Sequence, residues 1–168
     1  MSLKIEEISI LEDSRHFVNR AVEALNLQMN RLEKYTFEDA GEFWEYLADS
    51  HFYIVALKRL RQSFFVSKKN QRVWVKFEKE FNAFDQDISD AIKMRHVLEH
   101  VDDYIKNSGK DNAIKNSNLY TNHFDENGCL NWAGLKFDRH KLQESAEKVV
   151  KKYREITSHE FGLYREKL

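Results

Sequence analysis

Residues 70–106, NQRVWVKFEKEFNAFDQDISDAIKMRHVLEHVDDYIK, decide the fold and contain neither proline nor glycine. Their apolar residues recur at spacings of three and four, as on one face of an α-helix: Phe77, Phe81, Phe84, Ile88, Ala91, Leu98, Val101 and Ile105. The spacing predicts one uninterrupted helix over this range. The Asn107-Ser108-Gly109 run that follows is expected to end it.

The composition of the whole chain favours the same structure. Its 168 residues include no proline and five glycines. Average usage, roughly 5% proline, predicts about eight prolines in a chain of this length. Proline breaks helix interiors but is common in turns and on sheet edges, so its absence indicates a mostly helical chain with few elaborate loops. Collagen-like, linker-like and many-turned β-sandwich architectures are excluded on this ground.

Three further segments have the helical spacing of apolar residues. They cover about residues 3–33, residues 36–67, and the chain from Asp138 onward. Thr36 and Asp39 resemble a capping pair for the second of these segments, and Asp138 is suited to cap the last. The chain therefore contains four long amphipathic helices, each too apolar on one face to stand alone.

A region of different composition separates the third and fourth helices. Residues 110–137 are rich in Asn, Asp, Thr and Gly, with β-like runs at 118–124 and 130–137. Asn127-Gly128 lies between these runs, and such a pair is the strongest short-range signal for a hairpin. We therefore predict an all-α fold in a single domain, residues 1–168. It is an antiparallel four-helix bundle with a small β-hairpin, about 118–137, inserted before the last helix.

Charge, cysteine content and hydropathy limit the cellular setting. The net charge of −1 provides no overall field that would attract nucleic acid. Cys129 is the only cysteine, which excludes an internal disulfide and a cysteine-based zinc site. No apolar run approaches the roughly 20 residues of a membrane span, and the first residues do not have the pattern of a signal peptide. We expect a cytoplasmic protein that has no membrane partner.

The segment MRHVLEHVDDY, residues 94–104, concentrates the reactive side chains of the third helix. Leu98 is predicted at the centre of the buried face. At 100° per residue, Arg95 then lies at the core boundary, while His96 and His100 point away from the core, about 40° apart. One helix therefore presents an arginine at its boundary and a histidine pair on its outer side.

The simplest interpretation of this segment is a network of surface charges. Arg95 has Glu99 one turn away and Asp102 two turns away, and such pairs contribute a few tenths of a kcal/mol each. The histidines are then solvated. This interpretation corresponds to a non-enzymatic helical module that binds a partner protein.

A second interpretation is a metal site. His96-x-x-Glu99-His100 matches the H-x-x-E-H pattern, in which histidines at i and i+4 bind zinc and the glutamate activates water. A further ligand would come from another histidine of the bundle: His51, His123 or His140. The alternative function on this interpretation is a metal-binding four-helix bundle.

A third interpretation rests on a resemblance. Arg95-His96-x-x-x-His100 resembles the R-x(4–6)-H signature of the HEPN superfamily, helical bundles found among prokaryotic toxins, defence proteins and RNA-processing factors. That family favours a polar residue after the arginine, and His96 stands there. The resemblance implies a homodimer in which the motifs of two protomers meet in a cleft and cleave or bind RNA without a metal or other cofactor. It implies that Arg95 holds the scissile phosphate, that His100 is the general acid or base, and that His96 orients or assists.

The predicted straight helix places a condition on that activity. Arg95 and His100 project about 140° apart on an ideal helix, so one protomer does not bring them together. Catalysis would need a dimer or a local distortion of the helix. Two functions of different classes therefore stay open: a HEPN-like RNA-cleaving or RNA-binding domain, and a non-enzymatic interaction module.

Overall fold

The computed structural model describes residues 5–36, 40–119, 122–125 and 129–165. These residues are mostly helical, and helix makes up 79% of the structure. The helices are α1 (Ile5–Leu32), α2 (Ala40–Val66), α3 (Gln71–Asp87), α4 (Ser89–Glu99), α5 (Val101–Ile105), α6 (Asn116–Leu119) and α7 (Arg139–Arg165). The strands are β1 (Asn122–Phe124), β2 (Leu130–Trp132) and β3 (Leu135–Phe137). The prediction of a mostly helical chain with a small antiparallel β element before the last helix is confirmed.

Helices α1 and α2 lie side by side in opposite directions. The Ser14 hydroxyl near the start of α1 donates to the carbonyl oxygen of Ser63 near the end of α2, at 3.0 Å. At the other end of the pair, Arg31 Nε lies 3.5 Å from Asp49 Oδ1. The spacing seen in the sequence of α1 is used as expected, because one face of the helix is buried: Leu11, Val18, Ala21, Leu25, Met29 and Leu32.

The core is centred on aromatic rings that join three helices. Phe64 of α2, Phe77 of α3 and Tyr153 of α7 are fully buried, and their ring centroids lie 5.0 to 5.1 Å apart. The Tyr153 hydroxyl donates to Ser14 Oγ at 2.6 Å, so the Ser14 bond to Ser63 continues a buried chain of hydrogen bonds. We call these three rings the aromatic centre. The spacing of these rings is typical of favourable aromatic pairs, and the one buried hydroxyl group among them, that of Tyr153, has a hydrogen-bond partner.

The prediction of one uninterrupted helix over residues 70–106 is wrong at two residues. Helix α3 begins as expected after Asn70, whose side chain caps it. Ile88 then departs from helical geometry, with ψ at 0°, although its N–H still donates to Phe84 O at 3.1 Å. His100, with φ −126° and ψ 35°, separates α4 from α5. The packing changes across the interruption at Ile88, because α3 packs against α7 and against Phe64 of α2, whereas α4 packs against α2 and β3.

The expected stop after this helical region is confirmed. Helix α5 ends at Ile105, and Asn107 takes a left-handed φ of 55°. Gly109 comes two residues later, at a position where the buried Tyr104 ring leaves no room for a side chain. A Cβ added at Gly109 would lie 2.3 Å from Tyr104 Cδ1.

The predicted hairpin is part of a three-stranded antiparallel sheet in the order β1-β2-β3. Strand β1 pairs with β2, in a register that sets His123 opposite Asn131. The predicted Asn127-Gly128 turn lies outside the described residues. The run 118–124 is not β-like throughout, because Asn118 and Leu119 belong to α6.

The second β-like run, residues 130–137, forms two strands instead of one. Ala133 and Gly134 have φ values of 54° and 74°, and they turn the chain between β2 and β3. Positive φ at both central residues is typical of a type I′ hairpin turn. Ala-Gly does not have the sequence signature of such a turn, so the sequence does not predict this second turn.

Helix α7 begins where the sequence predicts. The Asp138 carboxylate accepts the Lys141 N–H at 3.0 Å, as an N-cap residue does. Of the other predicted cap, Thr36 with Asp39, the aspartate lies outside the described residues. Within the described ranges, no helix combines the length and the apolar character needed to cross a bilayer.

Candidate functional site

The buried face of α4 differs from the prediction by about one residue. Val97 and Met94 are fully buried, whereas Leu98 is only partly buried and Val101 is 39% exposed. The prediction that Leu98 is the centre of this face is therefore wrong. The buried face of α4 is formed by Ala91, Met94 and Val97, so its centre lies near Met94. The non-helical His100 then changes the direction in which Val101 projects.

Arg95 lies on the side of α4 that faces α2. Its Nη2 lies 2.5 Å from Glu99 Oε1, and its side chain is 19% exposed. Of the two partners expected for Arg95, the structure selects Glu99. We call these two residues the Arg95–Glu99 pair; its i, i+4 spacing is that of a local helical ion pair.

His51 of α2 faces the Arg95–Glu99 pair. Its pKa is lowered, first because burial disfavours the charged imidazole and then because Arg95 repels the proton, while Glu99 acts in the opposite direction. His51 Nδ1 and Arg95 Nε are both buried, and neither has a hydrogen-bond partner in the part of the chain that the structure describes. This side of α4 is therefore a half-buried charged contact between two helices.

His96 and His100 lie next to each other on the outer side of α4. Their ring centroids are 4.6 Å apart, and the His96 ring meets the buried Tyr104 ring at 6.2 Å. The pKa of His96 is lowered, first by burial and then by His100 and Lys110. His100 Nδ1 lies 3.9 Å from Asp103 Oδ2. The predicted histidine pair is thus present.

A pocket of about 510 Å³ opens beside His96. We call it the His96 pocket, and the residues used below to describe it are Ile92, Lys93, His96, Tyr104, Lys110 and Ile114. Sequence reasoning singled out only His96 among them. Lys110 comes from the loop after α5, and no motif connects it to the histidines.

The structure does not bring the Arg95 and His100 side chains into contact. Arg95 pairs with Glu99 and faces α2, whereas His100 lies beside His96 and Asp103. Among the described residues, no hydrogen bond or ion pair joins Arg95 to His100. Although the helix is interrupted at His100, the Arg95 and His100 side chains of a single protomer still do not face one common cleft.

The residues of the H-x-x-E-H pattern are also divided. Glu99 pairs with Arg95 and not with either histidine of the pattern. Within the described ranges, no three His, Cys, Asp or Glu side chains come together in a group that could hold a metal ion.

Two side chains of the β region have structural roles. The Cys129 thiol is buried, and burial together with Asp138 raises its pKa to about 11, which disfavours the reactive thiolate. The Trp132 indole N–H donates to Leu119 O at 3.1 Å within the core.

A second surface carries exposed apolar residues, on the outer side of the α1–α2 pair. A groove of about 390 Å³ runs between the two helices. We call it the outer groove, and its principal residues are Phe17, Arg20, Ala24, Arg59, Gln62 and Val66. The only sequence signal for it is the adjacent pair Phe17-Val18. Val18 is buried, so Phe17 is left 48% exposed.

We compared the chain with models of protein families, with curated proteins and with solved structures, and none of the three comparisons found a match. The proposals below are argued from the contacts, burial and charge of the described residues.

Proposed function

We propose that this protein is a non-enzymatic helical interaction module whose outer groove binds an acidic, amphipathic helix of a partner protein. In this proposal α1, α2, α3 together with α4, and α7 are the four members of a helical bundle. The aromatic centre supports the bundle, because it joins α2, α3 and α7, and its hydrogen-bond chain reaches α1.

The observation that carries the proposal is a pair of large aromatic side chains left exposed in the outer groove and beside it. Phe17, which lines the groove, is 48% exposed on α1, and Phe52, which lies on α2 beyond the lining residues, is 54% exposed. Phe52, Arg59 and Val66 are seven residues apart, so they lie on one face of α2. Large exposed side chains aligned on two neighbouring helices are typical of a surface that receives a third helix.

The charges of the outer groove indicate which helix it receives. Arg20 and Arg59 flank its apolar floor, and the residues that line it include no acidic side chain. Neither arginine has an ion-pair partner within the described ranges. A helix with an apolar stripe bordered by glutamate or aspartate would complement this surface in both shape and charge.

A second copy of the chain fits this groove less well. In a symmetric dimer built on the outer groove, the same patch meets itself, so the unpaired arginines of both copies would share one interface. The pocket between α1 and α7, about 650 Å³, is a weaker docking candidate. Hydrogen bonds already cross it, from Gln143 to Asn26 at 3.1 Å and from Arg154 to Asn19 at 2.8 Å.

Selection from a peptide library tests the proposal. The library presents helical peptides with leucine at every first and fourth position of a heptad and random residues beside them. We expect selected peptides to be enriched in glutamate and aspartate. Their binding, measured by fluorescence polarisation, should weaken at least about tenfold in the double variant Arg20→Glu/Arg59→Glu and in Phe52→Asp.

Val75→Asp is the matched control, because Val75 is a 65% exposed apolar residue of α3 outside the groove. Equal weakening by Val75→Asp, or enrichment of lysine beside the leucines, would overturn the proposal. So would a dimer that Phe52→Asp dissociates in sedimentation experiments.

A second candidate function is the HEPN-like cleavage or binding of RNA by a homodimer. The observation that favours it is the adjacency of His96 and His100, beside Lys93 and Lys110. RNA cleavage without a metal needs a general acid and a general base, and lysines attract the phosphate backbone. Arg95 would first have to leave Glu99 before it could hold a phosphate.

An RNA-cleavage assay in EDTA separates the two functions. Wild-type protein is compared with Arg95→Ala and His100→Ala, and with His16→Ala as a control at an exposed histidine of α1. The interaction module predicts no cleavage by any of them. Cleavage by the wild type and His16→Ala that is lost in both other variants would establish the nuclease instead.

A further inference from the structure

The residues that line the His96 pocket carry more positive than negative charge. Lys93 and His96, three residues apart, project from the same side of α4, and Lys110 approaches from the loop after α5. The acid nearest to Lys93 is Asp90, whose Oδ1 lies 3.8 Å from Nζ. Lys110 has no ion-pair partner among the residues that the structure describes. The one acidic lining residue, Asp111, uses Oδ1 to accept the Ala113 N–H at 3.0 Å.

The loop that carries Lys110 is held in a defined position. The Asp111 N–H donates to the Tyr104 hydroxyl at 3.3 Å, and Tyr104 itself is 1% exposed. Gly109 lies directly against the Tyr104 ring. The Asn116 amide donates to Ile105 O at 3.2 Å, which links the loop back to α5. Lys110 is therefore presented to His96 by ordered contacts, and binding an anion there requires little reorganisation.

The remainder of the pocket is apolar. Ile92, Ile114 and the Tyr104 ring line it. A volume of about 510 Å³ is in the range of small-molecule sites, roughly 300 to 1,000 Å³. A free inorganic anion would fill only part of this space and would leave the isoleucines without contacts.

We propose that the His96 pocket binds a small phosphorylated organic molecule of nucleoside monophosphate size, with its phosphate between Lys93, His96 and Lys110 and its ring system against Ile92 and Ile114. Two ammonium groups and an imidazolium offer charge-assisted hydrogen bonds to the phosphate oxygens. This site is separate from the outer groove, so the result of testing it is independent of the proposed interaction module.

The protonation of His96 provides a specific readout. Its pKa is lowered in the free protein, and a dianionic phosphate beside the imidazole would raise it. The charged groups that face His96 or border its pocket are Lys93, Arg95, Glu99, His100, Lys110 and Asp111, with Asp90 beside Lys93 and Asp103 beside His100. A phosphate bound against the ring adds negative charge at contact distance, so it should raise the pKa of the imidazole.

The experiment is a titration of the full chain with adenosine 5′-monophosphate, followed by calorimetry and by NMR of the His96 ring. Adenosine and inorganic phosphate serve as separate probes. We expect the monophosphate to bind and to raise the pKa of His96, adenosine not to bind, and inorganic phosphate to bind at least about tenfold more weakly. Lys110→Ala should weaken monophosphate binding about tenfold, the loss expected for one charge-assisted contact.

Lys106→Ala is the matched control, because Lys106 is an exposed lysine close to Lys110 that does not line the pocket. Equal losses in Lys106→Ala and Lys110→Ala would show a diffuse charge effect and overturn the site. Binding without a change in the His96 pKa would place the ligand elsewhere and overturn it as well. If inorganic phosphate bound as tightly as the monophosphate, the proposal that the ligand is an organic molecule would be wrong.

Discussion

The aromatic centre and the His96 pocket differ in how their polar groups are satisfied. In the aromatic centre, Phe64, Phe77 and Tyr153 are fully buried, and the single hydroxyl group donates to Ser14. In the His96 pocket, cationic side chains converge while Lys110 keeps no ion-pair partner in the described part of the chain. The aromatic centre is buried and its hydroxyl group is hydrogen-bonded, as in a stable core. The His96 pocket has a positive charge with which an anionic ligand can pair.

The comparison shows that stability and binding capacity lie in separate parts of this chain. The aromatic centre joins the long helices, whereas α5 and the loop after it add few buried apolar residues. Substitutions in the aromatic centre should therefore change the free energy of unfolding, and those around the His96 pocket should change binding more than stability.

Phe77→Ala should have the largest effect, because it opens a cavity in the aromatic centre. The expected loss is about 3 to 5 kcal/mol in the free energy of unfolding, measured by urea denaturation. Val75→Ala on the same helix is the control, since Val75 is 65% exposed, and its effect should stay within about 0.5 kcal/mol. Similar losses in the two variants would contradict the assignment of this centre.

Gly109→Ala should destabilise the loop beside the His96 pocket. The added Cβ would lie 2.3 Å from Tyr104 Cδ1, and forcing an extra methyl group into packed structure costs about 1 to 3 kcal/mol. We expect the NMR signals of the His96 ring to shift at the same time, since Tyr104 packs against it.

Gly162→Ala is the control for this change. No atom lies within 4 Å of the Cβ it would add, and alanine favours a helix over glycine by up to about 1 kcal/mol. The control should therefore be neutral or stabilising. A Gly109→Ala variant as stable as the wild type would show that the loop yields more easily than its contacts indicate.

Tyr153→Phe should cost about 1 kcal/mol, because it removes the hydroxyl that donates to Ser14 and leaves the rings in place. A double-mutant cycle with Ser14→Ala isolates the bond. We expect the double variant to lose less than the sum of the two single losses. Additive losses would mean that the two hydroxyls stabilise the core separately.

The smallest expected effect is a pH dependence from His51 and His96. Both pKa values are lowered from 6.5, mainly by burial, so the unfolded chain takes up protons before the folded protein does. The free energy of unfolding should thus fall as the pH decreases through about 6.5 and level off below the folded pKa values. Urea denaturation between about pH 7.5 and 5 measures it. The double variant His51→Gln/His96→Gln should flatten the curve, and an unchanged slope would contradict the assignment.

Much of the fold could be predicted, because helix formation depends strongly on local residue spacing. The absence of proline, the apolar spacing in α1 and the cap at Asp138 all predict what the structure contains. The interruption at Ile88 could not be predicted, since the apolar spacing continues through it. Across it the packing partner changes from α7 to β3, while α2 packs against both helices, and no local pattern records that change.

The candidate site divides in the same way. The His96–His100 contact and the Arg95–Glu99 pair both follow from i, i+4 spacing on one helix, so the sequence contains them. His51 meets the Arg95–Glu99 pair from another helix, and Lys110 lies beside His96 from a loop. Both contacts depend on how separate segments pack, and periodicity along one helix says nothing about them.

The helical class, the position of the β element and the pairing of side chains one turn apart follow from the sequence alone, because they depend on residues close together in the chain. That Arg95 faces α2 while His96 faces Lys110, and that Phe17 and Phe52 stay outside the core, depends on the tertiary structure. The burial of a side chain is set by the neighbour that its helix packs against. In this chain α4 packs against α2 and β3, and the loop after α5 lies beside His96, so these neighbours set the environments of Arg95 and His96.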